Sequence, residues 1–197
     1  MKKYISTKID EFLLERFHIN NLPSNIILLT CNLDKDGGVF LLYDKDNKTP
    51  IGYISFGLYP GIESFTTGGC YSENGYGAFL YESAMSYVYP NGLSMSRDSN
   101  TSDDALKVWF KFKDRKDVRS ERMNSDEITH KKEDWLEGGF LDDEPEYRQS
   151  IFDLEDTRFF YNYGKDKLNK LIEIGREYMN INNISEEDVE HMTWDLE

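Results

Sequence analysis

The residues with the clearest chemical potential lie between 63 and 78. Ser72-Glu73-Asn74-Gly75-Tyr76-Gly77 is a glycine-rich turn that runs into an apolar helical pattern opening at Ala78. Two glycines one residue apart let the backbone curl tightly and aim successive N–H groups at one point. Where such a turn starts a helix, the aligned peptide dipoles add roughly half a positive charge. A pyrophosphate can be held there by backbone alone, without lysine or arginine. The N–H groups of Asn74, Gly75, Tyr76, Gly77 and Ala78 are therefore the candidate anion-binding set. Two carboxylates stand nearby as candidate general bases: Glu63 at the start of a strand pattern and Glu73 in the turn itself. A dry site would raise the pKa of either toward a useful value, and a strand would hold Glu63 the more rigidly.

The elements around this turn follow from hydrophobic spacing. Ile5, Ile9, Phe12, Leu13 and Phe17 repeat at helical intervals around the capping pair Thr7 and Asp10. Apolar runs at 26–29 and 39–43 flank Asp34-Lys35-Asp36-Gly37-Gly38, whose Asp-Gly pair predicts a hairpin. A second turn falls at 44–48. Its aspartates superficially resemble a calcium loop, but no glycine or distal glutamate is in register, so turn chemistry is the reading. Strands are predicted over 51–56 and 63–67, the second delivering the chain to the glycine turn. The helix over 78–88 carries Leu80, Tyr81, Ala84, Met85 and Val88 and stops before Pro90. A short strand over 93–96 and a polar turn at 97–100 follow. Thr101 with Asp104 is then read as the cap of a helix bearing Ala105, Val108, Trp109 and Phe112.

Over residues 1–118 this order, strand, glycine turn, helix, strand, capped helix, resembles the GNAT superfamily of acyl-CoA-dependent N-acyltransferases. The family signature is Gln or Arg, two arbitrary residues, Gly, one arbitrary residue, then Gly or Ala. Gly75 and Gly77 match it, while Ser72 stands at the Gln/Arg position. The run Gly75-Tyr76-Gly77-Ala78-Phe79-Leu80-Tyr81, with Ser96-Arg97-Asp98, Ala105, Val108-Trp109 and Arg115-Lys116-Asp117-Val118, looks closer still to GNAT-like proteins of large tailed bacteriophages. The resemblance implies a CoA pyrophosphate on the amides of 74–78 and a pantetheine arm between two splayed parallel strands, 63–67 and 93–96. Many members place a tyrosine acid four residues after an alanine on the following helix. Counting from Ala105, that position here is Trp109, and an indole cannot protonate a thiolate. Tyr76 and Tyr81 are the nearest phenols in sequence.

Composition sets the outer limits. The 197 residues, 39% hydrophobic, support one sizeable core, with a formal net charge of −14 that argues against nucleic-acid binding and favours cationic partners. Two cysteines cannot form a disulfide framework, Cys70 lacks a positioned histidine, and the three histidines fall at no metal-ligand spacing, so no metal is expected. There is no Walker sequence, no signal-like beginning and no run of roughly 20 apolar residues, which predicts a cytoplasmic chain without membrane contact. Residues 119–140 read as a charged connector. Residues 141–197 read as an acidic, aromatic-rich helical extension, with helical patterns at Leu168, Leu171, Ile172, Tyr178 and Met179 and a Ser185/Asp188 capping box.

The expected fold is therefore α/β of mixed (α+β) type: a GNAT-like central mixed sheet flanked by helices over residues 1–118, followed by the connector and the acidic helical extension. The leading functional expectation is an acyltransferase that takes acetyl-CoA as cosubstrate and acylates an amine on a small molecule or protein. The alternative is a catalytically silent GNAT-shaped phage protein that binds a basic host protein through its acidic surface, in the host cytoplasm.

Overall fold

The computed structural model describes residues 22–58, 64–73, 75–96, 101–123, 153–154, 156–162 and 164–196. The predicted N-terminal helix, Glu63, Asn74, the turn at 97–100 and the acidic run Asp142-Asp143-Glu144 lie outside them.

The predicted hairpins are the first half of a mixed sheet. β1 (Ile26–Asp34) and β2 (Gly37–Asp44) pair antiparallel across the Asp-Gly turn. β3 (Thr49–Leu58) follows a turn in which Asp44 Oδ1 accepts from the backbone N–H groups of Asp46 and Asn47 at 2.9 and 3.2 Å. The aspartate is thus used as a turn former. β4 (Phe65–Ser72) completes the meander and leads into α1 (Gly77–Val88). β5 (Leu93–Ser94) returns parallel to β4. α2 (Asp103–Asp114) and β6 (Arg119–Arg122) come next. β7 (Thr157–Phe160) inserts between β5 and β6, giving seven strands in the order β1-β2-β3-β4-β5-β7-β6. α3 (Lys165–Asn182) and α4 (Glu186–Trp194) end the described chain. Residues beyond 141 therefore enter the sheet itself through β7.

Both faces of the meander are covered, which is why its strands read as continuous apolar runs. Leu28, Phe40, Leu42, Ile54 and Phe56 meet α1, α2 and the first half of α3 on one face. Ile27, Leu29, Leu41 and Tyr53 meet Met179 of α3 and Val189 of α4 on the other. α3 serves both faces by crossing the edge strand β1 at Gly175, where an added Cβ would lie 1.9 Å from the Leu28 carbonyl oxygen. Crossing that closely covers an edge that would otherwise offer free backbone groups. The opposite edge, β6, is short and charged.

α1 is buried almost all round, including the polar Glu82, Ser83 and Ser86. Glu82 has no solvent exposure and is paired with the Arg115 guanidinium, which also grips Asp117. Burial alone would lower the Arg115 pKa, but hydrogen bonding to Asp117 and the charge of Glu82 outweigh it and hold the arginine charged. The same guanidinium lies 5.4 Å from the ring centroids of both Phe112 and Tyr161, tying α1, α2 and the segment after β7 together.

Arg115→Met strands a buried carboxylate in the core and should destabilise the chain by about 3–5 kcal/mol. The double variant Glu82→Leu/Arg115→Met should recover most of that loss. Urea denaturation of the two variants checks this, and equal losses would show that the pair is not the linchpin described.

Candidate functional site

The site begins where β4 and β5 part. Their parallel ladder is only two pairs long, Phe65↔Leu93 and Thr66↔Ser94. Hydroxyls frame this joint: Ser94 Oγ donates to the Phe65 carbonyl at 3.2 Å, and Ser96 N–H donates to Thr67 Oγ1 at 2.9 Å. β4 is also bent at this point. Between the pairs Ile54↔Cys70 and Phe56↔Thr67, Ser55 faces both Gly68 and Gly69, which makes a β-bulge. A Cβ on Gly68 would lie 2.5 Å from Ser55 Oγ and one on Gly69 2.5 Å from the Tyr53 hydroxyl, so either would push a side-chain end aside.

The strands diverge around a cavity of about 630 Å³, walled by β4 from Thr67 to Tyr71, by Met95 and Ser96, and by Tyr81, Ala105 and Trp109 of the helices. The gap reaches through the sheet: Tyr53 and Leu196 line it from the face that carries α4. A smaller cavity of about 240 Å³ adjoins it, sharing Cys70, Tyr71, Tyr81, Ser102 and Ala105 and extending to Ser72 and Gly77 at the start of α1. Together they form a track from the glycine turn to the Trp109 wall.

The turn at the head of the track has the backbone that its sequence predicts. Gly75 adopts φ +82°, a left-handed conformation suited to glycine. Tyr76 is the N-cap residue; no side chain among the described residues caps α1, and its first turn holds no acid. A Cβ on Gly77 would meet Ser72 Oγ at 3.2 Å, so the serine closes over the helix start. Tyr76 and Ala78 are buried and Gly77 is partly exposed. Glu73 is exposed; its N–H donates to the Ile51 carbonyl at 2.9 Å and its own carbonyl accepts from Tyr76 N–H at 3.2 Å. It is a wall of neither cavity. The candidates Gly75, Tyr76, Gly77 and Ala78 are thus gathered at one end of the track, with Glu73 beside them, while Glu63 and Asn74 fall outside the described residues.

Trp109, reached by counting from Ala105, and Tyr81, a phenol near the turn in sequence, wall the other end with Cys70. Trp109 has no solvent exposure, and its ring packs on Tyr81 at 4.8 Å, Phe159 at 5.1 Å and Phe112 at 5.9 Å between centroids. The Tyr81 hydroxyl adjoins the Cys70 thiol. The indole nitrogen of Trp109 neighbours that hydroxyl and weakly favours its anion. It nevertheless meets no partner at sound hydrogen-bond geometry, and Thr101 Oγ1 at the same cavity is also without a partner. Burial drives the Tyr81 pKa well above its ordinary value, reinforced by Cys70. Burial likewise pushes the Cys70 thiol up to about 12, against the smaller opposing effect of the Tyr81 hydrogen bond. Both shifts favour the protonated groups, while Cys70 itself is half-buried and walls both cavities. One prediction at the following helix shifts by a residue: Ser102, not Thr101, caps α2, its Oγ accepting from Ala105 N–H at 3.3 Å.

No family model matches the chain, and neither a curated protein nor a solved structure is found to be similar to it. The coordinates themselves define its class, a mixed α/β fold with a seven-stranded mixed sheet. Among the described residues, no helix is long and apolar enough to cross a membrane.

The raised thiol has a direct consequence. At pH 8, iodoacetamide should alkylate Cys70 in the native chain about 100-fold or more slowly than in the denatured chain, read by mass spectrometry of its peptide. The stability that this thiol contributes is intact below pH 9.0, the ordinary value, and is lost as pH climbs toward about 12, because the unfolded chain releases the proton first. Native and denatured rates within tenfold of one another would contradict the raised thiol pKa.

Proposed function

We propose that this chain binds acetyl-CoA or a related acyl thioester and acylates an amine on a small molecule or protein. The observation that carries this reading is the track itself, a gap between two parallel strands that opens beside an uncapped helix N-terminus. The diphosphate of the cosubstrate would lie on the helix-end amides of Gly77 and Ala78 beside Gly75, Tyr76 giving its own N–H to the Glu73 carbonyl, because helix-end N–H groups favour an anion. The extended thiol arm would follow β4, whose edge is without a β5 partner past Thr66. The thioester would then sit near Tyr81 and Trp109. There the amine attacks the carbonyl carbon, the C–S bond breaks, and CoA leaves as a thiol after taking up a proton. Glu73 keeps the candidacy for the amine's proton that its sequence position gives it, from the diphosphate end of the track, since it walls neither cavity. Glu63 keeps the same candidacy from the sequence.

The chain would work in a reducing cytoplasm, that of an infected host if the phage resemblance holds. The silent alternative, a phage protein that binds a basic host protein through an acidic surface, has one observation in its favour: the buried indole of Trp109 at the family's tyrosine position. The two readings differ in turnover and not in shape.

Isothermal titration with acetyl-CoA should show binding, reduced about tenfold or more by Gly75→Val, whose φ of +82° a β-branched residue resists, and by Gly77→Val, which crowds Ser72. Circular dichroism controls for folding. Absence of binding to the wild-type chain rejects the reading. Binding without thiol release across a panel of amines shifts it to the silent alternative.

A further inference from the structure

Tyr81 occupies an unusual position for a residue that helical spacing assigns to the core. It is 4% exposed, yet it lines both cavities and stands where they join. Its hydroxyl adjoins the Cys70 thiol, and sulfur is a weak acceptor. Beside it lies the Trp109 indole nitrogen, a fully buried donor whose bond is unmade. A buried donor left unsatisfied costs about 1–3 kcal/mol. The Tyr81 oxygen is the acceptor it neighbours. The polar capacity of this corner is therefore underused: one O–H beside a poor acceptor, one N–H beside an oxygen but short of bonding geometry.

An occupant that brought a good acceptor to Tyr81 would correct both faults. The O–H would exchange sulfur for oxygen, and the hydroxyl oxygen, made more electron-rich by donating more strongly, would draw the Trp109 N–H into a bond behind it. Hydrogen bonds in such a chain reinforce one another. The reacting end of an acyl thioester carries one strong acceptor, its carbonyl oxygen. Resting on the acyl-thioester reading above, we propose that the Tyr81 hydroxyl is the hydrogen-bond donor to the carbonyl oxygen of the bound thioester, with Trp109 as the positioning residue behind it. The donor would then come from the central helix α1, while the α2 position supplies the brace. During acyl transfer the same O–H faces the oxygen on which negative charge develops, and no proton need leave it.

The test compares acetyl-CoA with S-ethyl-CoA, a thioether of similar length that lacks the carbonyl. Wild-type protein should bind acetyl-CoA about 2- to 10-fold more tightly than S-ethyl-CoA, the range for one net hydrogen bond. Tyr81→Phe, which deletes one oxygen, should abolish that preference while leaving the S-ethyl-CoA affinity unchanged. A merely structural role would lower both affinities together. As a second measurement on unaltered protein, the ¹⁵N-indole N–H signal of Trp109 should move downfield with acetyl-CoA and stay in place with S-ethyl-CoA; Trp135→Phe and Trp194→Phe assign it by elimination. The proposal is overturned if the wild type shows no preference, if Tyr81→Phe keeps it, if both affinities fall alike, or if the indole signal responds equally to the two ligands. Each of these outcomes leaves the acyl-CoA reading standing. If neither compound binds, that reading fails and this one with it.

Discussion

The sheet is joined across its middle by two residue pairs. Everything from β1 to β4 is one antiparallel meander, everything from β5 to β6 is a second set, and only Phe65↔Leu93 and Thr66↔Ser94 connect them through backbone. A ladder this short is a weak hinge, since a lone pair of hydrogen-bonded strands is marginal without covering elements. Its strength comes from side chains. Phe65 and Leu93 are buried, Ser94 and Ser64 hydroxyls bond the surrounding carbonyls, and Thr67 Oγ1 accepts from Ser96 N–H. The same features that hold the joint also end it, and the cavity lies where it ends.

The ion pair of Glu82 and Arg115 makes that arrangement rigid. α1 leaves β4 and returns the chain to β5, so a buried carboxylate midway along it, held by an arginine just after α2, fixes the helix against the elements beyond the gap. Such a pair contributes modest net stability compared with apolar replacements of equal size, but its geometry allows little rotation. With Tyr161 and Phe112 packed on the guanidinium, α1 is held in one orientation relative to the strands that part beneath it.

Much of this was legible in the residues. Asp-Gly at a hairpin, the turn at Asp44, the apolar face of α1 and the Ser185/Asp188 capping box are local signals, and local chemistry realises each of them. β7 was not legible, because its place between β5 and β6 is decided by pairing with residues more than thirty positions away, and β6 reads Arg-Ser-Glu-Arg without apolar alternation. The bulge did leave a trace: paired glycines inside a strand pattern mark a close approach, and Gly68-Gly69 sit against Ser55 and Tyr53. Tyr81 left none. It falls on the helical face shared with Leu80 and Ala84, and periodicity does not separate a phenol that fills a core from one that borders an opening.

The opening is better understood as maintained than as a packing fault. Protein interiors close voids larger than a few water molecules where apolar side chains can collapse. Closure here would need only a longer β5 ladder along β4, yet the chain spends two glycines on a bulge that turns β4 away and gives the Ser96 N–H to a threonine side chain. The walls are mixed, with Thr67, Cys70, Ser96, Ser102 and the Tyr81 hydroxyl among them, and such groups are poor filling for a core but ready partners for an amide- and carbonyl-bearing chain. Trp109 then shuts one end with the largest available side chain, so that the track stops at a polar corner instead of running into the apolar core. The gap thus lies beside a glycine bulge, is lined by hydroxyls and ends at an indole.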